Sequence, residues 1–178
     1  MSTVRMENRI VRLRAMEPED INLLYEVEND PDVWEAGDYG SPYSRHALTQ
    51  YIISSQNDIF ADKQLRLIIE RKEDLAPLGI IDITNFSALH LRGEVGIVIR
   101  GEYRNKGYAS NALELLCDYA FSYLRINQLY ARFLADNKPC AKLFKGRGFE
   151  YCGLLKAWVQ TTYGEKDVII CQRLKSKA

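Results

Sequence analysis

Apolar residues recur along this chain at two spacings, alternate positions and three-to-four positions, and these divide it into strands and helices. Arg9 to Arg14 reads as a first strand, with Ile10, Val11 and Leu13 as its apolar residues. Between Glu17 and Asn29, Ile21, Leu24, Tyr25 and Glu28 fall at helical spacing, and Pro31 is expected to close that helix. A second helical stretch begins near Ser44 and carries Leu48, Tyr51 and Ile52. Three strands follow, at Leu65 to Glu70, Leu78 to Thr84 and Glu94 to Ile99. The short polar turns between them imply antiparallel pairing. The clearest helix runs from Asn105 to Leu124, with Ala109, Leu113, Leu116, Ala120 and Leu124 in one stripe and Asn111, Glu114, Asp118 and Ser122 facing away. A strand at Gln128 to Leu134 leads to a short helix, Pro139 to Lys145, that Gly146 and Gly148 terminate. Two last strands, near Tyr151 to Gln160 and Asp167 to Leu174, meet at a turn around Gly164. This order predicts an α+β fold, a mixed sheet with helices on both faces.

With 178 residues and no repeat, low-complexity tract or linker, the chain reads as a single domain, 1–178. A chain of this length buries about 70% of its unfolded surface, so it needs no disulfide or metal staple. Lys plus Arg and Asp plus Glu both number 24. That balance argues against nucleic acid or an anionic membrane as partner. No apolar run reaches the ~20 residues of a membrane span, and Met1 to Asn8 lacks a signal-peptide core, so a cytoplasmic protein is expected. The four cysteines, Cys117, Cys140, Cys152 and Cys171, form no C-x-x-C pair and are read as small buried hydrophobes. The two histidines, His46 and His90, belong to no metal-binding spacing, so no metal is expected.

Chemistry is best sought where the strand ending at Ile99 meets the long helix. A helix N-terminus carries unpaired N–H groups and partial positive charge, which first-turn acids usually offset. Here Arg104, Asn105, Lys106 and Gly107 open the helix, and no acid occurs between Glu102 and Glu114. The helix end is thus open to an external anion such as a phosphate, and Gly107 permits close backbone approach. Simple hydration of those amides is the alternative. A Walker loop is excluded, because Lys106 precedes the glycine and no Gly-Lys-Ser/Thr follows.

Arg104-x-x-Gly107-x-Ala109, placed after a strand and opening a helix, resembles the acetyl-CoA signature of the GNAT N-acetyltransferase superfamily. Asn137, Ala141, Phe144 and the Gly148-Phe149 pair are similar to the family's later segment. The likeness covers roughly Arg9 to Leu174 and is nearest the RimJ/RimL and spermidine N-acetyltransferase group. It implies a three-layer αβα fold whose mostly antiparallel sheet is splayed at the cofactor site. It also implies that the amides of Arg104, Asn105, Lys106, Gly107, Tyr108 and Ala109 bind the CoA pyrophosphate. Val98, Ile99 and Arg100 would pair with pantetheine, and Gly96 is consistent with a bulge or close approach nearby, a glycine forced by packing being the alternative. Asn137 would contact the cofactor, serve as an N-cap, or both.

Acetyl transfer needs a neutral amine, and an alkylamine has a pKa near ~10.4, so a base or water chain must take its proton. By resemblance Glu94 is the candidate, with Asp82 on the neighbouring strand as second choice; a merely solvated Glu94 is the alternative. Many relatives carry a tyrosine at the position of Phe144 to protonate the leaving thiolate, and phenylalanine cannot donate. Water, or more remotely Tyr163, would take that part; with a thiol pKa near ~8.5 an acid is also dispensable. Cys140 lies near the same helix, but the family usually transfers directly.

From Ala15 to Ser44 nine acids and no Lys or Arg occur, a local charge of about −9. The family likeness puts this stretch beside the acceptor. Trp34, Glu35 and Asp38 would then favour a cationic amine, with Tyr39 as a further wall; a solvated helix face and loop would explain the same pattern. The chain is accordingly expected to move acetyl from acetyl-CoA to a small-molecule or peptide amine, spermidine-like polyamines ahead of a protein N-terminus or an aminoglycoside. A non-catalytic acyl-CoA sensor is the rival, and a homodimer is suggested by resemblance.

Overall fold

The computed structural model describes residues 5–36 and 40–176. Strands β1 (Val11–Arg14), β2 (Leu65–Arg71), β3 (Pro77–Ser87), β4 (Arg92–Ile99), β5 (Gln128–Leu134), β6 (Glu150–Thr161) and β7 (Gly164–Leu174) form one seven-stranded sheet, ordered β1-β2-β3-β4-β5-β7-β6. All neighbours are antiparallel except β4 and β5, which run parallel. Helices α1 (Ile21–Glu28), α2 (Pro31–Ala36), α3 (Arg45–Ser54), α4 (Ile59–Asp62), α5 (Tyr108–Asp118) and α6 (Lys138–Gly146) complete it. The expected α+β class and mixed sheet are both present. Among the described residues no helix is long and apolar enough to cross a membrane.

The two faces of the sheet carry different cores. Leu23, Leu24 and Val27 of α1 and Leu48 and Ile52 of α3 pack on Ile68 and Ile80, with Val98 partly buried beside them. On the other face Ala112, Leu113 and Leu116 of α5 meet Leu67, Ile69, Ile81, Ile83, Val95 and Leu129. Leu113 and Leu116 are fully buried, each contributing about 1.5–3 kcal/mol of transfer free energy. Alternation along β2, β3 and β4 therefore sorts Arg66, Asp82 and Glu94 onto the α1/α3 face.

Three boundaries differ from the sequence pattern. Pro31 opens α2 instead of ending the chain's helical course: it needs no amide bond at a first helical position. Asp30 caps that helix, its side chain accepting from Asp32 N at 2.9 Å and its carbonyl from Trp34 N at 3.1 Å. The long helix begins at Tyr108 and not Asn105, because Asn105 (φ 61°) and Gly107 (φ 82°) are left-handed. Its C-terminal part passes into a π-helical turn, Tyr119–Tyr123, where the rings of Tyr119 and Tyr123 stack at 5.4 Å. The excursion between α1 and α3 is clamped at its neck. Asn29 accepts from Tyr43 N at 2.8 Å and donates to Tyr43 O at 3.1 Å.

Phe144 lies inside the α5-side core. Its ring is 4% exposed, stacks on Phe133 at 5.7 Å and meets Phe149 edge-on at 5.0 Å. Phe144→Ala is expected to lower unfolding stability by roughly 3–5 kcal/mol, read as a shift in the urea midpoint.

Candidate active site

The parallel seam between β4 and β5 is short. Arg92, Gly93 and Glu94 align with Gln128, Leu129 and Tyr130, and there the pairing stops. Beyond it β4 stays with β3 as far as Ile99, and β5 stays with β7 as far as Leu134. The sheet is thereby splayed at its centre, as the family resemblance implies. Arg100 donates its N–H to Leu78 O of β3 at 2.9 Å, so strand alternation turns the backbone groups of Val98 and Arg100 toward β3. Those of Ile97 and Ile99 face the gap. Arg104 Nε occupies one of them, the Ile99 carbonyl, at 2.9 Å. Ile97 was not singled out by the sequence, since only the pairing register tells which of two neighbours faces the opening.

The N-terminus of α5 lies just past the end of β4. Gly107 is its N-cap, no side chain caps it, and its first turn holds no acid. Arg104, Asn105, Lys106 and Gly107 are exposed, and Lys106 Nζ is tied back to Glu102 O at 2.9 Å. Tyr108 and Ala109, half-buried, begin the helix proper. This is an amide-rich, acid-free end that fits a phosphate-bearing ligand. Asn137 accepts from Cys140 N at 3.1 Å and so caps α6. The Cys140 thiol is pushed up by burial, with Arg104 pulling against that shift.

On the α1/α3 face a row of charged side chains runs across the strands. Asp82 Oδ2 accepts both from Arg66 Nη2 at 2.8 Å and from Arg66 Nε at 3.0 Å. Glu28 of α1 binds Arg66 Nη1 from the other side, and the Tyr51 ring lies 5.6 Å from the guanidinium. Asp82 Oδ1 points at Gly96: a Cβ built on that glycine would stand 2.4 Å from it. Register through this stretch is unbroken, so Gly96 marks no bulge; packing against the Asp82 carboxylate requires the glycine. Burial drives the Asp82 carboxyl above the ordinary carboxylate range, Arg66 opposes, and Glu28 and Glu94 add to the rise. Burial likewise raises Tyr51.

Glu94 is neither solvated nor free. Arg132 of β5 donates to it twice, at 2.7 and 3.1 Å, and Asn85 donates at 2.9 Å. This ion pair joins the last paired residue of β4 to a residue of β5 two positions past the pairing. Burial, then the Glu94 charge, raises the pKa of Tyr130 alongside.

Nine acids cluster in the early sequence, but the fold distributes arginines among them. Arg14 holds Asp20 at 2.7 Å, Arg66 binds Glu28, and Arg100 meets Glu26 at 3.1 Å. Trp34 donates its indole N–H to the Glu28 carbonyl at 2.7 Å, fastening α2 to α1. Glu35 belongs to α2, while Asp38 and Tyr39 lie outside the described residues. Tyr163 is 94% exposed at the tip of the β6–β7 hairpin. The expectation of four buried cysteines holds for Cys117 and Cys171, whose thiols burial pushes up to about 11. It is only partly met at Cys140 and wrong for Cys152, which is exposed because β6 is an edge strand. Among the described residues no group of three or more His, Cys, Asp or Glu side chains could hold a metal.

Residues 11–150 match the family model described as an acetyltransferase (GNAT) domain. An uncharacterized N-acetyltransferase, p20, of Bacillus licheniformis is 29% identical over 92% of both chains. Spermidine N(1)-acetyltransferase of Escherichia coli is 27% identical over 82% of this chain and 75% of its own. The fold superposes on spermidine N-acetyltransferase from Vibrio cholerae, solved with CoA and spermine, at a TM-score of 0.82 and 23% identity, covering 96% and 98% of the two chains. A further structure of that enzyme, at a TM-score of 0.79 and 24% identity over 96% of each chain, is dodecameric. A splayed sheet, an acid-free helix start and a family model spanning most of the sequence lead to one assignment: this chain belongs to the GNAT family of N-acetyltransferases.

Proposed function

We propose that this protein transfers the acetyl group of acetyl-CoA to a primary amine of a cationic, polyamine-like acceptor in the cytoplasm, by direct attack within a ternary complex. The observation that carries this reading is the charge count beside the splay. Three carboxylates, Glu28, Asp82 and Glu94, face two arginines, Arg66 and Arg132. A partly buried surplus of negative charge favours a bound cation. The spermidine N-acetyltransferase relatives support the same acceptor class, ahead of a protein N-terminus or an aminoglycoside.

On this reading the amides from Arg104 to Ala109 receive the pyrophosphate. The open edge of β4, including Ile97 and Ile99, runs beside pantetheine, with Val98 and Arg100 on either side of Ile99. Asn137 flanks the same cleft. Glu94, fixed by Arg132, borders the acceptor; Trp34, Glu35 and Asp38 are assigned to acceptor binding by the family likeness alone. Self-association is part of this reading, by analogy with the oligomeric relative.

A second reading, an acyl-CoA sensor without turnover, is favoured by Phe144, whose ring has no proton to give to the leaving thiolate. The two are separated by the thiolate's own stability: with a thiol pKa near ~8.5 it departs without a side-chain acid, at a rate lower by about 10²–10⁴-fold. Slow catalysis is therefore expected.

Acetyl-CoA-dependent thiol release is expected to rise when spermidine is added. Release at background with spermidine and with other amines, alongside intact CoA binding, would favour the sensor. Glu35→Gln combined with Asp38→Asn is expected to raise KM for spermidine several-fold with kcat little changed, measured by the same assay at low salt. Lys106→Glu places a carboxylate beside the positive end of α5. It is expected to weaken acetyl-CoA binding by roughly tenfold by calorimetry while leaving the melting temperature unchanged or slightly raised.

A further inference from the structure

Acetylation of a cationic amine requires that a proton leave the ammonium before nitrogen can attack. Glu94 is poorly suited to take it, because three donor contacts from Arg132 and Asn85 occupy its two oxygens. Asp82 is arranged differently. Both hydrogen bonds from Arg66 to Asp82 fall on Oδ2, while Oδ1 receives none among the described residues and looks across Gly96 of β4. Gly96 lies two residues past Glu94, where β4 has already left β5. Asp82 thus presents one anchored and one unused oxygen on the side of the sheet where the acceptor is proposed to sit.

We propose that Asp82 Oδ1 receives the acceptor's proton, and that Arg66 and Glu28 form a positioning relay that sets the basicity of that oxygen from helix α1. The proposal rests on the acetyl-transfer reading given above. Glu28 offsets part of the Arg66 charge that Asp82 would otherwise feel. Weakening the Glu28 contact strengthens the hold of Arg66 on Asp82 and makes it a poorer base. Strengthening it does the reverse. Glu28 also stands at the neck of the 30–42 excursion, with its carbonyl bound by Trp34 and its neighbour Asn29 clamped to Tyr43.

The step balances as follows. The ammonium gives one proton to Asp82, leaving a neutral amine and a carboxylic acid. The nitrogen lone pair forms the N–C bond at the thioester carbonyl as the C–S bond breaks. The nitrogen loses a second proton to the departing thiolate, giving amide and CoASH, and Asp82 returns its own proton to water.

The charged and titratable groups facing Asp82 are Arg66 on β2, Glu28 on α1, Tyr51 on α3 and Glu94 on β4, the last held by Arg132 on β5. Burial and the two neighbouring carboxylates raise the Asp82 pKa. Activity should consequently fall as pH drops through that raised value, because the base is then already protonated.

The test combines kinetics with a direct titration of the whole protein. Asp82→Asn, nearly isosteric, is expected to lower kcat with spermidine by about 10²–10⁴-fold and to abolish the acidic limb of the kcat/KM profile, with acetyl-CoA binding unchanged. Glu28→Gln should move that limb to lower pH. Arg66→Lys, which keeps the charge but loses the fork, should move it to higher pH. The Asp82 carboxyl, followed by carbon-13 NMR and assigned by its loss in Asp82→Asn, should shift its midpoint in the same two directions. A purely structural cluster would change stability without moving either readout in opposite senses. A limb that survives Asp82→Asn overturns the assignment of the base, and an Asp82 midpoint indifferent to both other variants overturns the relay. If the wild type releases no thiol with spermidine, the acceptor reading fails, while the titration still upholds or sinks the relay.

Discussion

Backbone amides and carbonyls in a sheet are satisfied by a neighbouring strand, and among the described residues β4 gives up that pairing on its β5 side. β4 holds β5 for the length of Arg92 to Glu94 and then leaves it. Each strand keeps its other partner, so the sheet remains whole while a row of polar backbone groups is left facing a gap. A parallel pair between two antiparallel blocks is what makes this possible. The long connection through α5 lets β5 arrive at its own angle, and the helix that makes the connection delivers its positive end to the mouth of the gap.

The second constraint is the placement of charge. Asp82 and Glu70 are inward-facing acids in a sheet otherwise filled by isoleucine, leucine and valine, and each meets an arginine. Burying an ion without a partner is costly, and paired ions of this kind contribute little net stability compared with an apolar core. Glu70 with Arg12 and Arg14 lies at the β1 edge and binds the first strand to the sheet. Arg66 with Asp82 and Glu28, and Arg132 with Glu94, lie nearer the opening. Their local consequence is a fixed electrostatic environment, since salt bridges packed between strand and helix cannot reorient as water does.

Much of this architecture was legible in the sequence. Strand and helix periods located every long element, because burial of one face imposes those periods directly. The uncapped, acid-free helix start was visible from missing acids and from Gly107. The pieces that escaped depend on pairing register and not on composition. Which of Ile97, Val98 and Ile99 faces the gap is decided by the Arg100–Leu78 bond. The resemblance pointed to Glu94 as base, and its hold by Arg132, 38 positions away, leaves no local mark in the sequence. The acidic stretch likewise read as a block of uncompensated charge because Arg14, Arg66 and Arg100 reach it only after folding. Arg66 itself carried a signal that went unused: a charged residue on the inward face of an apolar strand implies a buried partner.

The Asn29–Tyr43 clamp has a consequence for how such a protein can diversify. One pair of hydrogen bonds joins Asn29 to Tyr43, and Trp34 ties α2 back to Glu28, so the ends of the intervening stretch are fixed to the frame. Lengthening a loop whose ends are already joined adds only a fraction of a kcal/mol per few residues, about 0.6 kcal/mol for each doubling. Segments of different length and composition can be exchanged at that neck while the sheet remains as it is. The frame and the stretch it holds are in this sense separately heritable, and a changed segment can be tried without first solving the fold again.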